Sequence, residues 1–194
     1  MTIVASIVEG DGEVEALPVL LRRMGEWLSP GTGIALSPPI RVRRDRFLNR
    51  DAEFRRNLLL AAAKCGDNGW ILILLDADND CPSELGAQLL QRAREHVPHR
   101  RISVVLANRE YEAWFLAAAD SLHGKRGFAF DNPQNFNAEH HRNAKGWMGD
   151  RMTAGYSPIT DQPAFSALMD LPQARQNSRS FRKLCSEWAK QMAV

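Results

Sequence analysis

A chain of 194 residues with 44% hydrophobic content suits one domain with a sizeable core and excludes wholesale disorder. No apolar run approaches the ~20 residues needed to span a bilayer, so no membrane association is expected. The net charge of +2 is small, yet the arginines cluster, so the balance conceals local fields.

Met1–Val4 lacks a basic leader region and reads as the start of a strand, not as a signal peptide. Cys65, Cys81 and Cys185 are odd in number and widely spaced, with no Cys-x-x-Cys pair. That argues against a disulfide framework or a zinc site and fits a reducing, cytoplasmic setting. Cys81 lies near the acidic motif described below, but no histidine stands close in sequence to activate it.

Ile3 to Val8 forms a first apolar strand and ends in Glu9-Gly10-Asp11-Gly12-Glu13. Leu17, Leu20, Leu21, Met24 and Leu28 then recur at helical spacing, which predicts a helix over Val14–Leu28 with Pro18 in its first turn. Ile40–Arg44 is a short second strand within a basic run of Arg41, Arg43, Arg44, Arg46 and Arg50. The run fits either an edge strand guarded by charge or a stripe that contacts phosphates. Asp51–Lys64 is a helix with Phe54, Leu58, Ala61 and Ala62 on one face.

Ile71–Leu75 is an unbroken apolar run that stops abruptly at Asp76-Ala77-Asp78. Such a run reads as a strand buried on both faces, the kind found inside a parallel sheet. Pro82 opens a helix over Ser83–His96, and Ile102–Ala107 is a further apolar strand delivering Glu110 and Glu112 at its end. Ala113–Leu122 is helical in pattern. Strands alternating with helices predict an α/β core over residues 1–122 with a parallel sheet. Residues 123–194 change character: Asp131–His141 is polar and Asn-rich, and Tyr156–Pro163 carries two prolines. They predict a mostly helical, loop-rich extension packing on the core, with helices near Glu139–Met152 and Ser180–Met192. Trp114, Trp147 and Trp188 fit an aromatic core between sheet and extension, or an oligomer surface. His140 and His141 point about 100° apart on a helix and so do not share an ion readily.

Three buried strands thus end in acids: Glu9 and Glu13, Asp76 and Asp78, Glu110 and Glu112. In a parallel sheet those ends share one edge, where open α/β sheets place their ligands. Carboxylates so crowded repel unless a cation or proton intervenes, and an all-oxygen donor set suits Mg²⁺ or Mn²⁺. The competing reading is solvated loop charge.

Ile7-Val8-Glu9-Gly10-Asp11-Gly12-Glu13, followed by Leu17-Pro18, resembles the first motif of Toprim domains. It is most similar to the version in overcoming-lysogenisation-defect nucleases. Leu75-Asp76-Ala77-Asp78 resembles the Asp-x-Asp motif of that superfamily, and Glu110-Tyr111-Glu112-Ala113-Trp114 its later acidic motif. The whole chain, with Tyr156-x-Pro-x-x-Asp161-Gln162 and Arg179-Ser180-Phe181, is also similar to a family of small uncharacterised bacterial Toprim-like proteins. The resemblance implies a metal-dependent nuclease with two Mg²⁺ or Mn²⁺ ions and a nucleic-acid substrate, DNA before RNA. It implies Glu9 as a metal ligand or general base and Glu13, Asp76, Asp78 and Glu112 as ligands. A late lysine is also implied, Lys145 in preference to Lys183. Phage defence is the setting that it suggests.

Arg41, Arg43 and Arg44 would then neutralise backbone phosphates. Two readings compete with the nuclease. One is a non-catalytic Toprim-like module binding nucleic acid, a partner protein or a second copy of itself in a homo-oligomer. The other is an Asp-x-Asp nucleotide-sugar transferase, which explains Asp76 and Asp78 but leaves Glu9 and Glu13 idle.

Overall fold

A computed structural model describes residues 1–131 and 136–193. Its sheet has five strands, all paired in parallel: β1 (Thr2–Val8), β2 (Ile34–Leu36), β3 (Ile40–Arg41), β4 (Trp70–Asp76) and β5 (Arg101–Ala107). Across the sheet the order is β2-β1-β4-β5, with β3 also pairing β1. Ten α-helices surround it among the described residues: α1 (Asp11–Leu28), α2 (Arg44–Asn49), α3 (Asp51–Cys65), α4 (Pro82–His96), α5 (Ala113–Ala117), α6 (Ala119–Leu122), α7 (Ala144–Gly149), α8 (Pro158–Leu168), α9 (Leu171–Asn177) and α10 (Arg179–Met192). The chain is an α/β protein with a parallel sheet and a helical C-terminal part, as its pattern predicted.

Successive strand residues face opposite sides, and the core divides accordingly. Trp70, Leu72, Leu74, Val105 and Ala107 face α1 and the C-terminal helices. Ile71, Ile73, Leu75, Val104 and Leu106 face α2, α3 and α4. Leu17, Leu20, Leu21 and Met24 of α1 are fully or almost fully buried, each worth about 1.5–3 kcal/mol by removal from water. Trp114 and Trp188 are core residues, and Trp147 is partly buried beside Phe136 and His141.

Several boundaries differ from the sequence reading. Helix α1 starts at Asp11, so Pro18 lies in its interior and the Val14 carbonyl lacks its usual helical partner. The second strand is two short pieces: Ile34–Leu36 was not foreseen, and Ile40–Arg41 ends two residues before α2. The helix expected over Ala113–Leu122 breaks at Ala118. The stretch taken as loop-rich holds α8 and α9, with Pro158 in the first turn of α8 and Pro163 inside it. Only a short 3₁₀ turn (Ala138–His140) and α7 occupy the helix expected near Glu139–Met152. Part of Asp131–His141, residues 132–135, lies outside the described residues.

Register decides where the acids meet. Ile7 pairs with Ile73, and Asp76 with Ala107. Continuing the first register places Glu9 one residue short of the Asp76 level. The chain goes to opposite sides of β1 for β2 and β4, so Glu9 and Asp76 flank the crevice at the switch point of the sheet.

Candidate functional site

Asp76 is the last residue of β4 and shares the facing of Leu72 and Leu74, towards α1 and the C-terminal helices. It is 9% exposed. Its Oδ1 accepts from the Tyr111 backbone N–H at 2.8 Å, which fixes the turn after β5 against the end of β4. Burial, and next to it the charge of Glu13, pushes the Asp76 carboxyl well above the usual range; Glu112 and Glu9 add to the rise.

Glu112 is fully buried at the start of α5. Its Oε1 accepts from Gln162 Nε2 at 2.8 Å and from the Tyr156 hydroxyl at 2.9 Å. Its Oε2 has no hydrogen-bond donor. Burial raises this carboxyl too, opposed by Lys145 and by the Tyr156 and Gln162 hydrogen bonds. Glu13 sits in the first turn of α1, where its carboxylate accepts the Gly10 backbone N–H, the one half of a capping box that a glycine N-cap allows. Its other oxygen accepts from Gln162 Nε2 at 3.3 Å.

Lys145, on α7, reaches into this group. Its Nζ lies 3.6 Å from Asp76 Oδ2 and 3.8 Å from Glu112 Oε2. Glu110 holds the start of α7 in place by accepting the Lys145 backbone N–H at 2.9 Å. Burial works against the Lys145 charge, but Glu112, Asp76 and Glu110 outweigh it and raise its pKa. Lys183, the other lysine considered, pairs with Glu187 on its own helix at 2.7 Å and faces a different cavity.

Glu9 and Asp78 form an outer part of the site. Glu9 Oε2 is buried and has no hydrogen-bond partner. Burial, and then Asp78, raises its carboxyl, while Arg44 and Lys145 oppose the rise. Asp78 does not point inward beside Asp76, contrary to the Asp-x-Asp expectation. The strand ends at Asp76, so the two-residue facing rule ends there; Asp78 takes φ +49° and its side chain is 53% exposed. Glu9, Asp78 and the basic segment Arg41–Asp45 line an open cleft of about 410 Å³.

The three arginines assigned to phosphates divide. Arg43 is exposed, and its guanidinium makes no hydrogen bond or ion pair among the described residues. Arg41 is half committed, pairing with exposed Asp11 at 3.0 Å and donating to the Glu9 carbonyl at 3.3 Å. Arg44 instead clamps the end of β4: it donates to the carbonyls of Asp76 at 3.1 Å and Ala77 at 3.4 Å and pairs with Asp78 and Asp80.

Among the described residues, no group of three His, Cys, Asp or Glu stands close enough to hold a metal ion as placed. The donor chemistry nevertheless fits a hard cation. Every candidate atom is a carboxylate oxygen, and two of them, Glu9 Oε2 and Glu112 Oε2, are buried without donors.

A larger cavity of about 660 Å³ lies apart from the acids, between α4, β5 and α10, lined by Cys81, Leu90, Val104, Glu139, Lys183 and Glu187 among others. Its carboxylates are already engaged: Glu187 by Ser103, Lys183 and Lys190, and Glu139 by Ser178, Ser180 and Asn108. It offers no free acid for a metal.

With the site in view, comparison with known proteins adds one fact. Residues 8–188 match the model of DUF4276, a domain of unknown function. The chain belongs to the DUF4276 family. The matched span of this DUF4276 member takes in Glu9, Glu13, Asp76, Glu112, Lys145, Tyr156 and Gln162. No curated protein and no solved structure matches the chain.

Tyr156 and Gln162 received no role from the sequence, although the segment that carries them belongs to the resemblance. A buried acid needs donors, and nothing in the local pattern marks which of the tail's many polar side chains supply them.

Proposed function

We propose that this chain is a Mg²⁺- or Mn²⁺-dependent phosphoryl-transfer enzyme acting on nucleic acid, an endonuclease of Toprim type with DNA as its preferred polymer. One observation carries the reading: Glu9, Glu13, Asp76 and Glu112 converge from three strand ends on a single crevice, where the charges of Glu13, Glu112 and Glu9 raise the proton affinity of buried Asp76. Such crowding is costly in a structural domain and useful in a site that receives cations.

The residues fall into two connected halves. Asp76, Glu112 and Glu13 form the inner half with Lys145, while Asp78 and Arg44 stand at the mouth, and Glu9 couples to both. That division suits two ions. Bound there, a divalent cation would supply Lewis acidity and lower the pKa of a coordinated water. Glu9, with its raised carboxyl beside the open cleft, is suited to take a proton from an attacking water. The Lys145 ammonium supplies a fixed positive charge for the charge that develops on the phosphate. Arg41 and exposed Arg43 line the cleft where a strand backbone would lie.

The test is nicking of supercoiled plasmid with Mn²⁺ or Mg²⁺. Wild-type protein converts plasmid to open circles, and Asp76→Ala does not. Pure protein that cleaves neither DNA nor RNA with either ion overturns the catalytic reading.

A non-catalytic module draws support from Lys145, which already neutralises the inner acids without a metal. It predicts salt-sensitive DNA binding with no cleavage. The nucleotide-sugar transferase gains nothing from this geometry, because Asp76 and Asp78 point apart.

A further inference from the structure

Helix α8 carries a residue whose side-chain hydrogen bonds both go to the acids. Gln162 is 1% exposed, and its Nε2 donates to two carboxylates from different parts of the chain, Glu13 of α1 and Glu112 at the N-cap of α5. Its Oε1 has no donor. The opposite amide orientation would set that oxygen against both carboxylates, so the network itself fixes which way the amide faces.

The first turn of α1 is shaped to admit this side chain. A Cβ on Gly12 would lie 1.9 Å from Gln162 Oε1 and 2.8 Å from the Pro158 carbonyl. Gly12 therefore lets α8 approach α1 closely enough for Gln162 to reach Glu13. Tyr156, just before α8, donates to the same Glu112 oxygen that Gln162 does. With two donors on Oε1, the carboxylate cannot turn, and Oε2 is left facing Lys145 at 3.8 Å with no donor of its own.

We infer that Gln162 and Tyr156 are positioning residues that hold Glu112 with Oε2 as its one free ligating oxygen and tie it to Glu13. The inference rests on the metal-dependent reading above. It assigns the C-terminal segment a part in the site that no contact with substrate requires. Outer partners of metal-binding carboxylates typically govern affinity, and their loss costs about 10- to 100-fold.

The experiment measures Mn²⁺ uptake by electron paramagnetic resonance on the full chain, beside DNA affinity at fixed salt. Gln162→Met, close in shape but without donors, weakens Mn²⁺ binding by about tenfold or more and leaves DNA affinity unchanged. Tyr156→Phe, which retains the ring and its packing, weakens Mn²⁺ binding less and serves if the first variant fails to fold. Wild-type Mn²⁺ affinity in the folded variants overturns the positioning role and leaves the parent reading standing. Weakened Mn²⁺ binding in a chain that never cleaves supports the positioning role and overturns the nuclease. A wild-type chain that takes up no Mn²⁺ overturns both.

Discussion

The Lys145 ammonium stands 3.6 Å from Asp76 Oδ2, so a cation already occupies the crevice where three strand ends bring their acids. It comes from α7, more than sixty positions later in the chain, and it is the charge that lets Asp76 and Glu112 stay buried together. The predictions below start from that balance.

Lys145→Met removes the counter-charge and retains most of the packing. The variant is destabilised at neutral pH by about 1–2 kcal/mol, less than for a fully buried pair because Lys145 is 37% exposed. Without the lysine, Asp76 and Glu112 hold their protons to higher pH. The deficit therefore shrinks as the solution is acidified and both carboxylates become neutral. Chemical denaturation at about pH 8 and about pH 4 checks this, and equal deficits at both would contradict it.

Asp76→Asn acts in the opposite direction on the cation-free protein. The folded carboxyl has a raised pKa, so the native state binds its proton more tightly than the unfolded chain does. Folding stability is therefore fully present below the unfolded value, near 3.8, and is lost as pH rises from there through the folded pKa. The amide oxygen still accepts from Tyr111, and the variant gains on the order of 1 kcal/mol at pH 8 and nothing at low pH. Thermal melting across pH decides it.

Added Mn²⁺ or Mg²⁺ competes with protons at the same oxygens. Stabilisation by a fixed ion concentration is larger at about pH 8 than at about pH 5.5, because raised carboxyls must release protons before they can bind. A pH-independent shift in Tm would place the ion elsewhere.

How much of this was legible in the sequence depends on which rule each residue obeys. Ile71–Asp76 announced a buried strand and its terminal acid, and the parallel sheet followed from alternation with helices; both hold in the fold. The outward setting of Asp78 was not legible, because its positive φ lies beyond the end of the strand, where the regular alternation of side chains stops. Arg44 looked like a free cation in a basic run. Its role as a clamp depends on β3 and β4 lying on either side of β1, a tertiary fact that local pattern does not carry. Helix α8 was hidden by Pro158 and Pro163. The first is welcome in an opening turn, and the second costs a single hydrogen bond that packing against α1 offsets.

Arg43 and Arg44 separate binding from folding. Arg43→Ala leaves stability within about 0.5 kcal/mol and lowers the salt dependence of DNA binding by about one phosphate contact. Arg44→Ala loses the hydrogen bonds to the Asp76 and Ala77 carbonyls and costs about 1–2 kcal/mol of stability. Paired melting and binding isotherms distinguish them, and the reverse pattern would show that Arg44 is the phosphate contact.

Gly12→Ala drives a methyl into Gln162 and the Pro158 carbonyl and destabilises the fold by about 1–3 kcal/mol. Gly31→Ala, whose glycine faces open space at φ +82°, strains only a surface turn. A neutral outcome at Gly12 would mean that α8 is free to shift.

The donors that Glu112 depends on lie far downstream of the sheet that carries it. A fragment cut after Leu122 would retain every strand and lose Tyr156, Gln162 and Lys145 together. It would leave Glu112 without those partners and open the face of the sheet that the C-terminal helices cover. Expression trials that shorten the chain to its strand-bearing portion are therefore expected to yield insoluble material, because the helices that complete the apolar core also carry the donors of a buried acid.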